Sequence, residues 1–215
     1  MARLPKGILG PITGIVGPVV GAVWKGVVPY VRLRPKKKKK KKRKVSPAQH
    51  ANEGKFRFGN LWMIPFHPYI ITGFQNMPLD KPAISIAFAI NYSQAIMGTY
   101  PDFEIDYAKV VLSIGDLPGL EEPTIAFTAS DTLELHWIDT KRRFTSFDDQ
   151  IMLVLYSREL AMTDGFIGGI KRATKKCSFQ FDGELVGKAL DVYVSVLSLN
   201  RKKIANSIYL GRIEP

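Results

Sequence analysis

The chain has 215 residues, 31 Lys and Arg against 19 Asp and Glu, a formal net charge of +12, and 46% hydrophobic residues. That hydrophobic content excludes a wholly disordered chain, and a single cysteine, Cys177, excludes an intrachain disulfide. His50, His67 and His136 lie far apart and, with one cysteine, give no zinc-ligand spacing, so neither a metal nor another cofactor is expected.

The charge is concentrated at one end. Residues 1–44 hold 14 basic residues and no acid, while residues 45–215 hold 17 basic residues against 19 acidic ones. A slightly acidic body therefore carries a cationic tether.

Within that arm, residues 7–24 are uncharged and mostly apolar, behind a weakly basic start, which is the outline of a leader or a membrane segment. Glycines at 7, 10, 14, 17 and 21 and prolines at 11 and 18 oppose a helix there, by roughly 1 and 3 kcal/mol each. No small-x-small cleavage pattern follows. The expected location is cytoplasmic or within an assembly, with no signal peptide or transmembrane helix. The apolar part repeats every seven residues, from Gly7, Gly14 and Gly21. Its Val-rich portion, 19–31, predicts a strand, and hence an extended Gly/Val arm. Such a strand either packs on its own body or is donated to a neighbouring subunit's sheet edge. Gly14, Val16, Gly17, Val19, Val20, Gly21 and Trp24 are the candidate assembly contacts.

Next comes an unbroken basic run: Lys36, Lys37, Lys38, Lys39, Lys40, Lys41, Lys42, Arg43 and Lys44, with Arg32 and Arg34 just before it. Lysines on a polyanion release condensed counterions, so binding is strong, salt-dependent and blind to base sequence. Nucleic acid, DNA or RNA, is the expected partner. A solvated spacer or a contact with anionic lipid headgroups are the other readings of the same charge.

Beyond the run, Ser46, Pro47 and Gln49 suit the N-cap, first-turn and capping-box positions of a helix. Phe58, Trp62, Phe66 and Tyr69 recur on one helical face, which marks a core stripe in preference to a base-stacking one. Gly54, Gly59, Pro65 and Pro68 predict two short helices with a kink. Asp80 and Pro82 open a further helix, expected to be buried, running to about Met97 and ending at Gly98. From Ile105 the period changes to two, with candidate strands at 105–114, 123–128, 132–138, 150–157, 177–181, 189–199 and 203–211. Turns are marked at 116–119, 130–131, 164–165 and 182–183. Seven short strands with Trp137 pointing inward predict an antiparallel sandwich that looks like a fibronectin-III or immunoglobulin-like domain. The fold class is thus α+β, divided into an assembly arm (1–35), a basic run (36–45), a helical segment packed on the body (46–98) and a β-sandwich (99–215).

Several stretches carry a family resemblance. Gly14-Ile15-Val16-Gly17-Pro18-Val19-Val20-Gly21 is followed by Trp24-Lys25-Gly26 and Tyr30-Val31-Arg32. Farther on come Gly98-Thr99-Tyr100-Pro101, Ile105-Asp106-Tyr107 and Ala205-Asn206-Ser207-Ile208-Tyr209-Leu210-Gly211. These resemble an uncharacterised family of Bacteroidota proteins of about this length. The resemblance implies a bacterial or phage setting and assigns no activity.

Motifs that would carry chemistry fail. The glycines at 21 and 26 have Walker-like spacing, but Val27 and Val28 stand where Lys and Ser or Thr belong. There is no G-x-S-x-G elbow and no H-E-x-x-H. Glu121 with Glu122 and Asp148 with Asp149 are read as solvated turn acids, and His136 as a surface residue, so no catalytic residue is assigned. Lys171 with Arg172, Lys175 with Lys176, and the triplet Arg201, Lys202 and Lys203 are smaller basic clusters, read as solvated loops that could extend a polyanion track. The expected function is a non-enzymatic, self-assembling structural protein that binds nucleic acid through its basic run, a combination also found in viral and phage shell subunits. The alternatives are a monomeric or dimeric nucleic-acid-binding module and a membrane-surface protein using residues 7–31.

Overall fold

A computed structural model describes residues 2–7, 10–24, 27–36, 45–77, 81–138 and 143–215. The chain divides into two compact units, residues 1–45 and 46–215.

The first unit is a three-stranded antiparallel meander of β1 (Gly14–Val16), β2 (Val19–Trp24) and β3 (Val28–Leu33), in that order. The single extended strand expected over 19–31 is instead folded back on itself. Gly17, at φ +54°, turns β1 into β2 ahead of Pro18. The second reversal is closed by the Val27 N–H donating to the Trp24 carbonyl at 3.0 Å. Pairing the strands with one another satisfies backbone groups that a free arm would leave to water. Gly21 is required at the centre of the meander. A Cβ there would lie 2.0 Å from the Ile12 carbonyl oxygen.

In the second unit, α1 (Pro47–Met63) runs through a 3₁₀ turn (Ile64–Phe66) into α2 (His67–Gly73). Ser46 caps α1 as expected, its hydroxyl accepting from the Gln49 N–H at 3.2 Å. The reciprocal capping-box bond does not form; the Gln49 side-chain amide points along the helix and donates to Glu53 at 2.9 Å. Pro65 sits in the 3₁₀ turn, where a missing N–H costs least, while Gly54 and Gly59 leave the helix intact. Gly59 is the place where neighbours come close, since a Cβ would stand 2.5 Å from the Ile96 side chain.

The next helix, α3 (Ala83–Gln94), stops short of Met97, and β4 (Ile96–Thr99) follows, paired with β5 (Asp102–Ile105). Pro82 occupies the capping position, and Asp80 lies outside the described residues. Only Ala87 and Asn91 of α3 are fully buried, so it is a half-covered helix, not the sunken one its composition predicts.

The strand expected over 105–114 does not form, because its backbone is satisfied by side chains. Asn91 accepts from the Val111 N–H at 2.8 Å and donates to its carbonyl at 2.8 Å. The Ser207 hydroxyl accepts from the Leu112 N–H at 2.9 Å. The Gly73 carbonyl accepts from the Ile114 N–H at 3.2 Å, and just beyond the segment Asn206 accepts from the Gly115 N–H at 3.1 Å.

The remaining strands are β6 (Glu121–Ala129), β7 (Thr132–Ile138), β8 (Gln150–Ser157), β9 (Met162–Lys171), β10 (Lys176–Gln180), β11 (Leu190–Leu197) and β12 (Ile208–Ile213). They form two antiparallel sheets, ordered β10-β7-β6 and β12-β11-β8-β9. β9 crosses the Asp164-Gly165 pair that reads as a turn. Gly165, Gly168 and Gly169 all have positive φ, and a Cβ on Gly165 would meet the Leu153 carbonyl oxygen at 2.1 Å. β12 begins later than the 203–211 pattern suggests; Ile204 and Ala205 make only single bridges, to Leu197 and Leu117.

The four-stranded sheet is covered on both faces. Ile151, Leu153 and Leu155 of β8, with Val192, Val194 and Val196 of β11, join Leu133, Leu135 and Trp137 of the other sheet in one core. Met152, Val154, Tyr156 and Tyr193, from the opposite face, join Trp62, Phe66, Tyr69 and Ile70 of the helices in a second. This is why β8 reads as an uninterrupted apolar run. The architecture is α+β: helices, a central sheet and a second sheet, with the strands of each sheet antiparallel.

Candidate polyanion and assembly surface

The meander sets the geometry of the predicted arm residues. Registers pair Val16 with Val19 and Gly14 with Gly21 across β1 and β2, and Val20 with Arg32 across β2 and β3. Alternation then puts Val19, Gly21, Val23, Pro29, Val31 and Leu33 on one face, and Val20, Ala22, Trp24, Val28, Tyr30 and Arg32 on the other. Both faces are therefore apolar. Every residue of β3 is exposed, with Val31 at 61% and Leu33 at 75%. Trp24, at the end of β2, is 59% exposed.

β3 is also an edge, pairing with β2 alone among the described residues. The Arg34 N–H donates to the Pro18 carbonyl at 2.7 Å, so even-numbered residues of this strand turn their backbone groups toward β2. Odd-numbered ones face outward. Pro29 is thus an outward position where the missing N–H breaks no ladder bond. Val31 and Leu33 turn their donors to the open edge.

Arg32 and Arg34 are exposed, and Arg34 and Lys36 border a shallow groove of about 520 Å³ floored by Pro18, Leu33 and Pro35. No acid lies within the arm to neutralise them. Lys37, Lys38, Lys39, Lys40, Lys41, Lys42, Arg43 and Lys44, the bulk of the predicted polyanion site, lie outside the described residues.

Two charged sites of the body are not what their sequence contexts suggest. Arg172, read as part of a solvated basic cluster, is 3% exposed, and Asp149, read as a turn acid, is 2% exposed. Their charged groups lie 3.6 Å apart. Arg172 also donates to the Pro118 carbonyl and, at 2.6 Å, to that of Gly119, while Trp137 donates its indole N–H to the Arg172 carbonyl at 2.7 Å. This cation pins a loop to the sheet and offers nothing to a ligand. Asp148 does behave as a surface acid, paired with Lys171 at 3.0 Å.

The second site is more elaborate. Asp191 on β11, fully buried, receives a bidentate pair of bonds from Arg158 at 2.6 and 2.7 Å and a third from the Tyr209 hydroxyl at 2.6 Å. The Arg158 guanidinium lies over the Tyr107 ring, 3.8 Å from its centroid, and that ring stacks on Tyr156 at 5.8 Å. The Tyr193 hydroxyl donates to the Tyr107 carbonyl at 2.8 Å. Burial raises the pKa of all four tyrosines, and the Asp191 carboxylate adds to the shift in each. They stay protonated donors at neutral pH. The same carboxylate holds Arg158 above its ordinary value, firmly charged. A pocket of about 530 Å³ opens beside the cluster, walled by Phe58, Trp62, Phe103, Tyr107, Tyr156 and Arg158.

The spacing of Asp191, Arg158 and the tyrosines along the chain forms no motif; the pairing of β11 with β8 and β12 gathers the others, and Tyr107 is added by the 3₁₀ turn Tyr107–Lys109. Glu121 and Glu122 begin β6, and His136 points outward on β7 beside Glu134 at 3.3 Å. Among the described residues no three metal-ligating side chains cluster, and no helix is long and apolar enough to cross a membrane.

A family profile matches residues 11–211, and it describes a family of unknown function, DUF6266. No curated protein matches the chain.

Proposed function

For this chain, which belongs to the family of unknown function DUF6266, we propose a non-enzymatic, self-assembling role: the meander joins copies and the basic run binds nucleic acid without sequence preference. The observation that carries it is the exposure of β3. A three-stranded sheet with apolar side chains on both faces is too small to bury a core of its own. Side chains such as Val31 and Leu33 gain by burial against another surface, and the outward donors of the same residues suit strand addition. Charge chooses the geometry. Lys36 lies five residues beyond Val31, so antiparallel pairing of two β3 strands about Val31 separates the two lysine runs by roughly 33 Å. That exceeds the Debye length of about 8 Å at physiological salt. Parallel pairing would bring the runs together. Antiparallel pairing also sets Arg32 beside the second copy's Tyr30, a cation facing an aromatic ring.

Binding by the run follows from counterion release. Six to nine neutralised phosphates give a slope of log affinity on log salt of about −5 to −8. A shell-like or filamentous assembly would bring many runs onto one polyanion. For the body, the reading as an immunoglobulin- or fibronectin-III-like sandwich is supported by the antiparallel pairing of both sheets and by Trp137 buried between them.

The experiment compares the full chain with a variant carrying Gln throughout 36–44, and with Val31→Glu/Leu33→Glu. Light scattering and duplex-DNA binding are followed from about 50 to 300 mM salt, the range over which counterion release is steep. Loss of the salt slope in the first variant and of assembly in the second is the expected result. A monodisperse monomer at high concentration refutes the assembly half. Unchanged DNA affinity without the lysines refutes the other.

A further inference from the structure

Two phenylalanines of the body are exposed where no core needs them. Phe144 is 68% exposed and Phe147 66%. Phe144 also has φ +73°, a conformation uncommon for a bulky residue. Each ring is accompanied by cations. The Arg143 guanidinium carbon lies 5.1 Å from the Phe144 centroid and the Lys203 ammonium 5.8 Å, while the Lys171 ammonium lies 5.8 Å from Phe147.

Phe144 closes one side of a pocket of about 440 Å³ that also takes in Asn76, Asp116, Lys202 and Lys203. The loop bearing the two lysines is held by its own bonds. Ser198 donates its N–H to the Lys203 carbonyl at 2.9 Å and accepts the Lys203 N–H on its hydroxyl at 2.9 Å; Asn200 accepts the Lys202 N–H at 3.0 Å. The lysines are therefore presented from a fixed frame.

We propose that this pocket binds one nucleotide of a single-stranded nucleic acid. The base stacks on Phe144, a flanking phosphate is held by Lys202 and Lys203, and Asp116 accepts from an amino group on the base edge. Charge complementarity selects the ligand. Among the described residues, a bare hydrophobic partner would leave three cations at this pocket, Arg143, Lys202 and Lys203, to be desolvated against Asp116 alone. A duplex has no free base face to offer a lone aromatic ring, whereas a single strand has one at every base. The site lies within residues 46–215 and is independent of the arm.

The test uses the full-length chain with Gln throughout 36–44, so that the basic run contributes nothing. Fluorescence anisotropy with a labelled single-stranded 12-mer and its duplex is compared for that background, for Phe144→Ala, for Lys202→Gln/Lys203→Gln and for Phe144→Trp. Loss of one stacked base lowers single-strand affinity roughly tenfold in the Ala variant. The double Gln variant weakens it too and flattens the salt dependence by about one phosphate. Trp restores binding, and duplex binding stays weak throughout. Equal single-strand affinity in the background and in Phe144→Ala overturns the proposal, as does a protein whose association state, and not its single-strand affinity, follows Phe144. Because the residue is exposed, circular dichroism is expected to be unchanged in every variant. A failed reading of the basic run would instead appear as unchanged duplex binding when the run is neutralised, so the two ideas fail separately.

Discussion

Replacing Arg158 with Met strips the buried Asp191 carboxylate of its two bonds to a cation and leaves only the Tyr209 hydroxyl. An uncompensated buried charge costs about 3–5 kcal/mol. Arg158 itself is 35% exposed, so water reaches part of the vacated space, and about 2–4 kcal/mol is the better expectation. For a domain of this size that corresponds to a fall in melting temperature of roughly 4–16 °C. The triple replacement Arg158→Met, Asp191→Leu, Tyr209→Phe removes charge and partners together and is expected to recover most of the loss. Urea unfolding followed by circular dichroism separates the cases. An Arg158→Met single variant within about 0.5 kcal/mol of wild type would refute the view that this pair is desolvated.

Arg172→Met takes the guanidinium from the carbonyls of Pro118 and Gly119 and from Asp149, which keeps only its bond from the Ser146 N–H among those described; a loss of about 3 kcal/mol in the same assay is expected, with intact nucleic-acid binding. Gly165→Ala forces a Cβ against the Leu153 carbonyl at a positive φ and should cost roughly 2–3 kcal/mol, whereas Gly169→Ala, with nothing near its Cβ, should show only the conformational part. Burial lifts the Cys177 thiol to about 11 and the Tyr69 and Tyr209 hydroxyls to about 12. These groups hold their protons more tightly folded than unfolded, so their contribution is complete below about pH 8.5. It is lost as pH rises through roughly 9–12. A urea midpoint that falls over that range, with thiol labelling at about pH 8 far slower in native than in unfolded protein, is the expected pattern.

Local rules are enough to find the Ser46 cap, the alternation of β7 and β11, and the core stripe on α1 and α2, because each depends on neighbours a few residues apart. The failures have non-local causes. β9 escapes such rules since its glycines answer to β8 and not to a turn; 105–114 mimics a strand although its bonds go to Asn91, Ser207 and the Gly73 carbonyl. The meander's reversals break what its valines favour as one strand. The buried roles of Arg172 and Asp149 have no sequence signal, since charge in a turn normally means solvent. Of the candidate surface, the basic run is legible as composition alone. The two-sided apolar sheet that adjoins it requires the strand register.

The covered central sheet has a consequence for synthesis. Phe66 packs at 6.4 Å from Tyr193, 127 residues farther along the chain. At about 5–20 residues per second, the helices wait roughly 6–25 s after translation before β11 exists to receive them. During that interval the aromatic stripe of α1 and α2 is open to chaperones, while the cationic arm, which precedes it in the chain, has already been made. A polyanion or another nascent copy can therefore meet the arm before the body has folded.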